Sequence, residues 1–428
     1  MTMTLSSESD TQERSGSATT LVCSHCAEPL RHTFVDLGKS PLCETYLRAD
    51  QLNDMEPFYP LHVRVCEKCF LVQLPEYVRP ENIFSEYAYF SSFSDSWLAH
   101  ARRYTEKMIE RLRLTGASQV VEIASNDGYL LQYFVAQGIP ALGIEPAANV
   151  AAAAVKRGVK SVVRFFGRDT ARDLVADGIR PDLLLGNNVL AHVPDINDFV
   201  GGMKILLGPQ GVITMEFPHL LRLIEDNQYD TIYHEHFSYL SLTAVSRIFN
   251  AHGLTVFDVD ELPTHGGSLR IYARHSERTD APMTAAVERL LAVEREAGFL
   301  TMDFYKNFGE AVMASKRRLL EFLIKAKDEG RTVVAYGAPG KGNTLLNYCG
   351  IRTDLIAYAV DRNPYKHGRF TPGTHIPIFP PDRIAETRPD YVLILPWNLK
   401  DEIMVQLASI REWGGQFVVP IPRVQVYP

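Results

Sequence analysis

From Gln119 the chain alternates short apolar runs with amphipathic ones, and no other feature of the sequence restricts the fold so tightly. QVVEIA (Gln119 to Ala124) reads as a buried strand, followed by the turn Ser125-Asn126-Asp127-Gly128 and an amphipathic helix from Tyr129. Strand ALGIE ending at Glu145, helix Ala147 to Arg157, strand SVVRF, and helix Asp169 to Ala176 follow. Strand DLLLGN ending at Asn187, helix Asp195 to Leu206 and strand GVITMEF (Gly211 to Phe217) complete the series. Strands that alternate with helices suit crossover connections and parallel pairing, so the pattern predicts a doubly wound α/β sheet. Ligands of such sheets bind at the carboxyl ends of the strands, where strand order reverses.

The first turn separates candidate cofactors. A dinucleotide site calls for G-x-G-x-x-G so that a pyrophosphate can approach the backbone, whereas EIASNDG carries a single glycine, Gly128. A nucleoside with an amino-acid tail fits better, which describes S-adenosylmethionine. Glu145, about twenty residues after the first turn, is placed to accept hydrogen bonds from a ribose diol. Ser125, Asn126, Gly128, Glu145, Pro146 and Asn187 of the sheet, with Tyr89 ahead of it, are the expected cofactor contacts. A Rossmann-like domain with another ligand is the alternative.

Upstream, Cys23 and Cys26 form one CxxC pair and Cys66 and Cys69 another, with 39 residues between the pairs. Four thiolates on two knuckles suit a closed tetrahedral structural zinc site. Cys43 and Cys349 show no pairing pattern, which weakens a disulfide reading. An aromatic-rich stretch, Phe84 to Trp97, then offers Tyr87 and Tyr89 as groups able to reach a pocket, ahead of a helix from about Leu98 to Leu114.

After the last strand comes Tyr233-His234-Glu235-His236, four consecutive residues able to take, give or hold a proton. In an extended conformation Tyr233 and Glu235 share one face and the two histidines the other; in a tight turn they converge. A histidine is the commonest general base, and a neighbouring carboxylate can fix its tautomer. An HExxH zinc site is excluded, because the second histidine directly follows the glutamate.

A helix from Leu242 to His252 leads to strands LTVFDVDEL and SLRIYARH, the antiparallel pair that ends a methyltransferase sheet. Their connection holds His265 and two glycines, with Arg270 a candidate for a phosphate. Charged helical sequence follows to Glu329. Strand TVVAYGA then precedes Pro339-Gly340-Lys341-Gly342-Asn343 at a helix start, a turn able to hold a phosphate through backbone amides and the Lys341 ammonium, with Asn343 beside it. Strands LIAYAVD, VLILPW and GQFVVPIP make this a second, smaller Rossmann-like unit.

The expected organisation is a disordered tail over residues 1–20, a zinc-binding domain over 21–85, the doubly wound domain over 86–280, a helical connection over 281–331 and the smaller C-terminal Rossmann-like domain over 332–428. A net charge of −7 argues against a general grip on nucleic acid. No apolar run reaches membrane-spanning length. The first twenty residues lack the basic start and apolar core of a secretion signal, so a cytoplasmic protein is expected.

Zinc knuckles, the sheet, YHEHFSYLS, THGGSLR and YGAPGKGNTLL, in that order, resemble the three-domain zinc-containing sugar C-methyltransferases that act on nucleotide-linked 4-keto deoxysugars. The resemblance runs from Cys23 to the C-terminus. It implies a class I methyltransferase domain using S-adenosylmethionine, structural zinc, and a dTDP-4-keto-deoxysugar methylated on carbon, commonly C-3, in deoxysugar or antibiotic biosynthesis. It places the base and its helpers on Tyr87, His192, Tyr233, Glu235 and His236, with His236 as the base. Lys341, Asn343, Arg270 and His265 are the expected substrate contacts, and a monomer is the expected state. Methylation at another ring carbon such as C-5, or of a small-molecule oxygen or nitrogen, is the alternative.

Overall fold

The computed structural model describes residues 21–81 and 91–428. Tyr87, Tyr89 and the N-terminal tail lie outside the described residues.

Three sheets organise the chain. The first is antiparallel and built on the knuckles: β1 (His32–Ser40) pairs with β2 (Tyr59–Val65), and β2 with β3 (Val72–Gln73). Each knuckle closes in the same way. Ala27 N–H donates to the Cys23 carbonyl at 3.0 Å and Phe70 N–H to the Cys66 carbonyl at 2.9 Å, and Ala27 and Phe70 both take a left-handed conformation, φ 60° and 61°.

The second sheet carries the strand and helix alternation. It consists of β4 (Val120–Ile123), β5 (Ala141–Ile144), β6 (Lys160–Val162), β7 (Leu183–Asn187), β8 (Val212–Pro218), β10 (Leu254–Leu262) and β11 (Ser268–His275), in the order β10-β11-β8-β7-β4-β5-β6. Five strands are parallel, and β11 runs antiparallel between β8 and β10. All four residues of β4 are buried, as expected of a central parallel strand covered on both faces. Strand order reverses between β4 and β7, which sets the ligand crevice above their carboxyl ends. The helix ahead of the sheet starts at Asp95, earlier than its apolar pattern suggests, because Ser94 caps it by accepting Trp97 N–H at 3.3 Å.

One strand crosses between domains. β9 (Ser238–Tyr239), which starts two residues after His236, pairs with β3, so the zinc domain's sheet has the order β1-β2-β3-β9. Helices Ala285–Ala297, Met302–Lys306 and Phe308–Asp328 form the connection to the last unit. Glu294, buried on the first of them, accepts the N–H groups of Leu242 (2.7 Å) and Thr243 (2.8 Å) and thereby caps helix Leu242–Ala251.

The third sheet is again mostly parallel. Its strands β12 (Val333–Tyr336), β13 (Ala359–Val360), β14 (Ile378–Phe379), β15 (Tyr391–Ile394), β16 (Gln416–Val419) and β17 (Gln425–Tyr427) lie in the order β14-β13-β12-β15-β16-β17. Helix Gly340–Cys349 follows β12 and starts at the order reversal of this sheet.

Candidate active site

A cavity of about 510 Å³ opens over the carboxyl ends of β4, β5 and β7. All three domains contribute to its wall: Glu44 from the first, the sheet ends and the 231–236 segment from the second, and Pro339 to Lys341 from the third.

On the sheet side the wall is the turn after β4. Ala124, Asn126 and Gly128 all take positive φ, 55°, 50° and 76°. The backbone of a glycine-rich loop is therefore present although two glycines are absent, and alanine and asparagine are held where side chains rarely sit. The turn thus keeps the left-handed backbone while its side chains fill the space that a pyrophosphate would need. Glu145 accepts Asn126 N–H through one carboxylate oxygen and Ala147 N–H through the other, each at 2.9 Å. Each oxygen retains a lone pair for a diol. Ile123, Ile144, Phe165, Phe166, Val189 and Phe199 supply apolar wall beside it. Asn188, with φ 55°, lines the cavity with its Oδ1 buried and without a partner. Carboxylate, apolar plates and an orphaned acceptor fit a nucleoside with a cationic tail. Of the expected cofactor contacts, Asn126, Glu145, Pro146 and Asn187 line this space. Ser125 and Gly128 do not: Ser125 packs beneath Gly143, and Gly128 packs on Ala154 and Val159.

On the opposite side, Tyr233 to His236 form a tight turn closed by His236 N–H donating to the Tyr233 carbonyl at 2.9 Å. The turn brings the Tyr233 and His236 rings to a centroid separation of 4.0 Å and lets Tyr233, Glu235 and His236 face the cavity together. His234 points away, its Nε2 3.3 Å from the Tyr59 carbonyl. The turn is clamped on its far side, where Phe237 N–H donates to the Ala191 carbonyl at 2.8 Å before β9 joins the zinc domain.

His236 Nδ1 lies 2.7 Å from the Thr231 carbonyl. A carbonyl only accepts, so Nδ1 carries the proton and Nε2 is left with its lone pair. Burial, with His265 and Lys341 adding to it, lowers the His236 pKa to about 4 against the opposing Thr231 contact. Glu235 was expected as the orienter of His236 or as a sugar clamp; the Thr231 carbonyl orients the ring, and Glu235 accepts the Cys43 thiol at 3.6 Å. His192 stands edge-on to His236 at 4.7 Å and is kept neutral by burial. Burial, and then the Glu235 carboxylate, push the Tyr233 phenol well above its usual pKa, so it is a donor at neutral pH.

The expected substrate contacts divide. His265, with φ 55°, lines the cavity edge-on to Trp97 at 5.2 Å, and Lys341 lines it from the C-terminal unit. Arg270 does not reach it: the side chain is buried, ion-paired with Glu216, 3.0 Å from His100 Nε2 and over the Tyr104 ring. Burial would raise Glu216, but His100 and Arg270 hold it down to about 2, so this guanidinium is neutralised inside the domain. Asn343 is buried between domains, where Nδ2 donates to the Cys43 carbonyl at 2.7 Å. Asn188, Thr231, Trp97 and Glu44 were not anticipated. Only the doublet GNN hinted at Asn188.

In the zinc domain, the sulfurs of Cys23, Cys26, Cys66 and Cys69 lie within 4.8 Å of one another, two pairs at 3.5 Å. Tetrahedral zinc with bonds of about 2.3 Å separates its sulfurs by about 3.8 Å, so the set fits one ion. Gln73 Nε2 donates to Cys23 Sγ at 3.2 Å, a bond that steadies this sulfur as a ligand.

The chain matches the models of three domains: a zinc binding domain over residues 23–84, a methyltransferase domain over 97–259 and a C-methyltransferase C-terminal domain over 263–422. It is 35% identical to the C-methyltransferase NovU of Streptomyces niveus over 404 residues, 94% of this chain and 96% of that one. The chain belongs to the C-methyltransferase family. The enzyme is an S-adenosylmethionine-dependent C-methyltransferase with an N-terminal zinc-binding domain. A shorter likeness, 28% over 97 residues, relates 23% of it to 38% of the ubiquinone biosynthesis O-methyltransferase of Rhodopseudomonas palustris strain BisA53. Among solved structures, the PH0226 protein of Pyrococcus horikoshii OT3 overlaps it with a TM-score of 0.37 and 13% identity, over 46% of this chain and 97% of that one.

Proposed function

We propose that the enzyme methylates the carbon next to the ketone of a dTDP-linked 4-keto-deoxysugar, at C-3 of the ring, in the making of a modified deoxysugar. The observation that carries this reading is His236, a neutral imidazole whose Nδ1–H is tied to the Thr231 carbonyl and whose Nε2 is left to a cavity shared by three domains. A hydroxyl or amine nucleophile needs only to lose its proton; a carbon acid needs a base and also a donor for the oxygen that gains charge. The site holds both kinds of group. His236 Nε2 takes the proton from the carbon, and Tyr233, a phenol kept protonated, or His192 donates to the developing enolate oxygen. Glu235 is the sugar clamp. Glu145 holds the ribose of the cofactor, and Asn188 accepts from its ammonium. Held by Glu145 and Asn188, S-adenosylmethionine would supply an electrophilic methyl group for the enolate carbon, its sulfonium departing as a neutral thioether.

Replacing His236 by Asn tests the reading. Positioned proton transfer contributes about 10² to 10⁴-fold, and turnover is expected to fall by that much while both ligands still bind. Entry of solvent deuterium at the carbon beside the ketone is expected to stop as well. Exchange at the wild-type rate in His236→Asn would place the base elsewhere.

A further inference from the structure

Lys341 stands in the first turn of helix Gly340–Cys349, where the sequence suggests a grip on phosphate. Its surroundings are of another kind. Nζ donates to Asn398 Oδ1 at 2.6 Å and lies 5.0 Å from the centre of the Trp397 ring. Trp397 Nε1–H donates to Asp230 Oδ2 at 2.7 Å, and Asp230 is fully buried. The next residue, Thr231, offers the carbonyl that holds His236. A continuous set of buried contacts thus ties the ammonium to the base. An ammonium has three donors, and here one goes to Asn398 while the tryptophan face takes only a weak cation–π share. Lys341 lines the same cavity as Tyr233, His236 and His265, so its remaining N–H groups have the cavity as their outlet.

We infer that Lys341 is a catalytic residue of the C-methylation proposed above, its ammonium donating to the substrate's keto oxygen and balancing the charge that gathers there. In the step concerned, the C–H bond beside the ketone breaks and the proton passes to His236 Nε2. The C–H electron pair becomes the carbon–carbon double bond, and the carbonyl π pair moves onto oxygen, where Lys341 meets it. A diphosphate does not suit this position. It hangs from C-1, across the ring from a ketone at C-4, and a lysine beside the base is on the ketone side. A single ammonium that already shares its surroundings with the Asp230 carboxylate is also a poor match for a diphosphate, whereas one enolate oxygen needs one charge-assisted donor. The depressed basicity of His236 points the same way, since a weak base leaves more of the barrier to stabilisation of the oxygen.

The test follows exchange of the hydrogen beside the ketone in D₂O, with a dTDP-linked 4-keto-6-deoxyhexose at saturation and no methyl donor, and the affinity for dTDP by calorimetry. Lys341→Met is expected to slow exchange by about 10²-fold or more, the effect of losing one oxyanion donor, and to leave dTDP affinity within about twofold. Because the change strands Asp230, the double variant Lys341→Met with Asp230→Asn is measured beside it; the asparagine keeps an acceptor for Trp397, and slow exchange in a double variant that melts like the wild type supports the role even where the single variant is unstable. Exchange at the wild-type rate overturns the assignment. So does a loss of dTDP affinity with exchange at saturation intact, which would make Lys341 the phosphate grip. A wild-type enzyme that binds the sugar nucleotide but exchanges nothing would instead overturn the enolate reading itself, before Lys341 is touched.

Discussion

At the scale of single residues, the state of His236 has a measurable consequence. Burial holds His236 and His265 each near a pKa of about 4, below the unfolded value near 6.5. Between those values the unfolded chain binds the extra proton and the folded chain does not, so stability declines as pH falls from about 6.5 towards 4, by on the order of 3 kcal/mol per group. Above pH 6.5 neither contributes a slope. The neutral form is also the one that accepts a proton, so kcat/KM is expected to stay level down to about pH 5 and then fall, with loss of fold close behind. An acid limb at pH 6.5 in a protein that is still folded would show a solvated imidazole. The presence of a base among residues 233–236 was legible, because few stretches put so many proton-handling groups side by side. Its orienter was not: the Thr231 carbonyl is a main-chain atom, invisible to any reading of side chains. Arg270 misled for the converse reason, since its partner Glu216 reads as one more residue of the strand VITMEFP and nothing local pairs the two.

Elements show the same division between local and distant causes. The strands and helices of the second sheet follow the hydrophobic period closely, and both strands after helix Leu242–Ala251 fall on the expected residues. The choice between strand and turn at Tyr233 to His236 could not be made locally. It depends on β9 pairing with β3, a strand more than a hundred residues earlier. The zinc knuckles, by contrast, are local motifs, and their spacing alone conveys the geometry. Since β3 follows directly on the second knuckle, zinc anchors the strand that holds the active-site turn. Cys66→Ser is expected to lower the metal content from one zinc per chain and lower the melting temperature, and also to reduce turnover, although the knuckle is not part of the cavity. Unchanged zinc and melting, measured by metal analysis and calorimetry, would refute the site; full turnover in a zinc-free folded variant would refute the link to the turn.

For the whole molecule, the order of three domains is written in the motifs, but the fact that all three wall one cavity is not, because it rests on contacts between residues hundreds of positions apart. The joint is at Gly340. A Cβ there would lie 2.9 Å from Cys43 Sγ and 3.1 Å from Glu44 Oε1, so glycine lets the zinc domain's 43–46 segment close against the helix that carries Lys341. On the same segment the Cys43 thiol reaches Glu235, the Cys43 carbonyl accepts from Asn343, and the Tyr46 hydroxyl donates to the Ala338 carbonyl. A methyl group inserted at this joint has to displace a short buried side chain, and overpacking of that kind costs about 1–3 kcal/mol. Gly340→Ala is therefore expected to lower the melting temperature and to reduce turnover, because Glu235 and Lys341 are both set by the parts it pushes apart. S-adenosylmethionine affinity is expected to hold, since Glu145, Asn126 and Asn188 belong to the sheet of the second domain and none touches the joint. Melting and turnover both at wild-type values would mean that the joint yields freely; a loss confined to cofactor affinity would mean that the cavity is divided between the domains differently from the way its wall suggests.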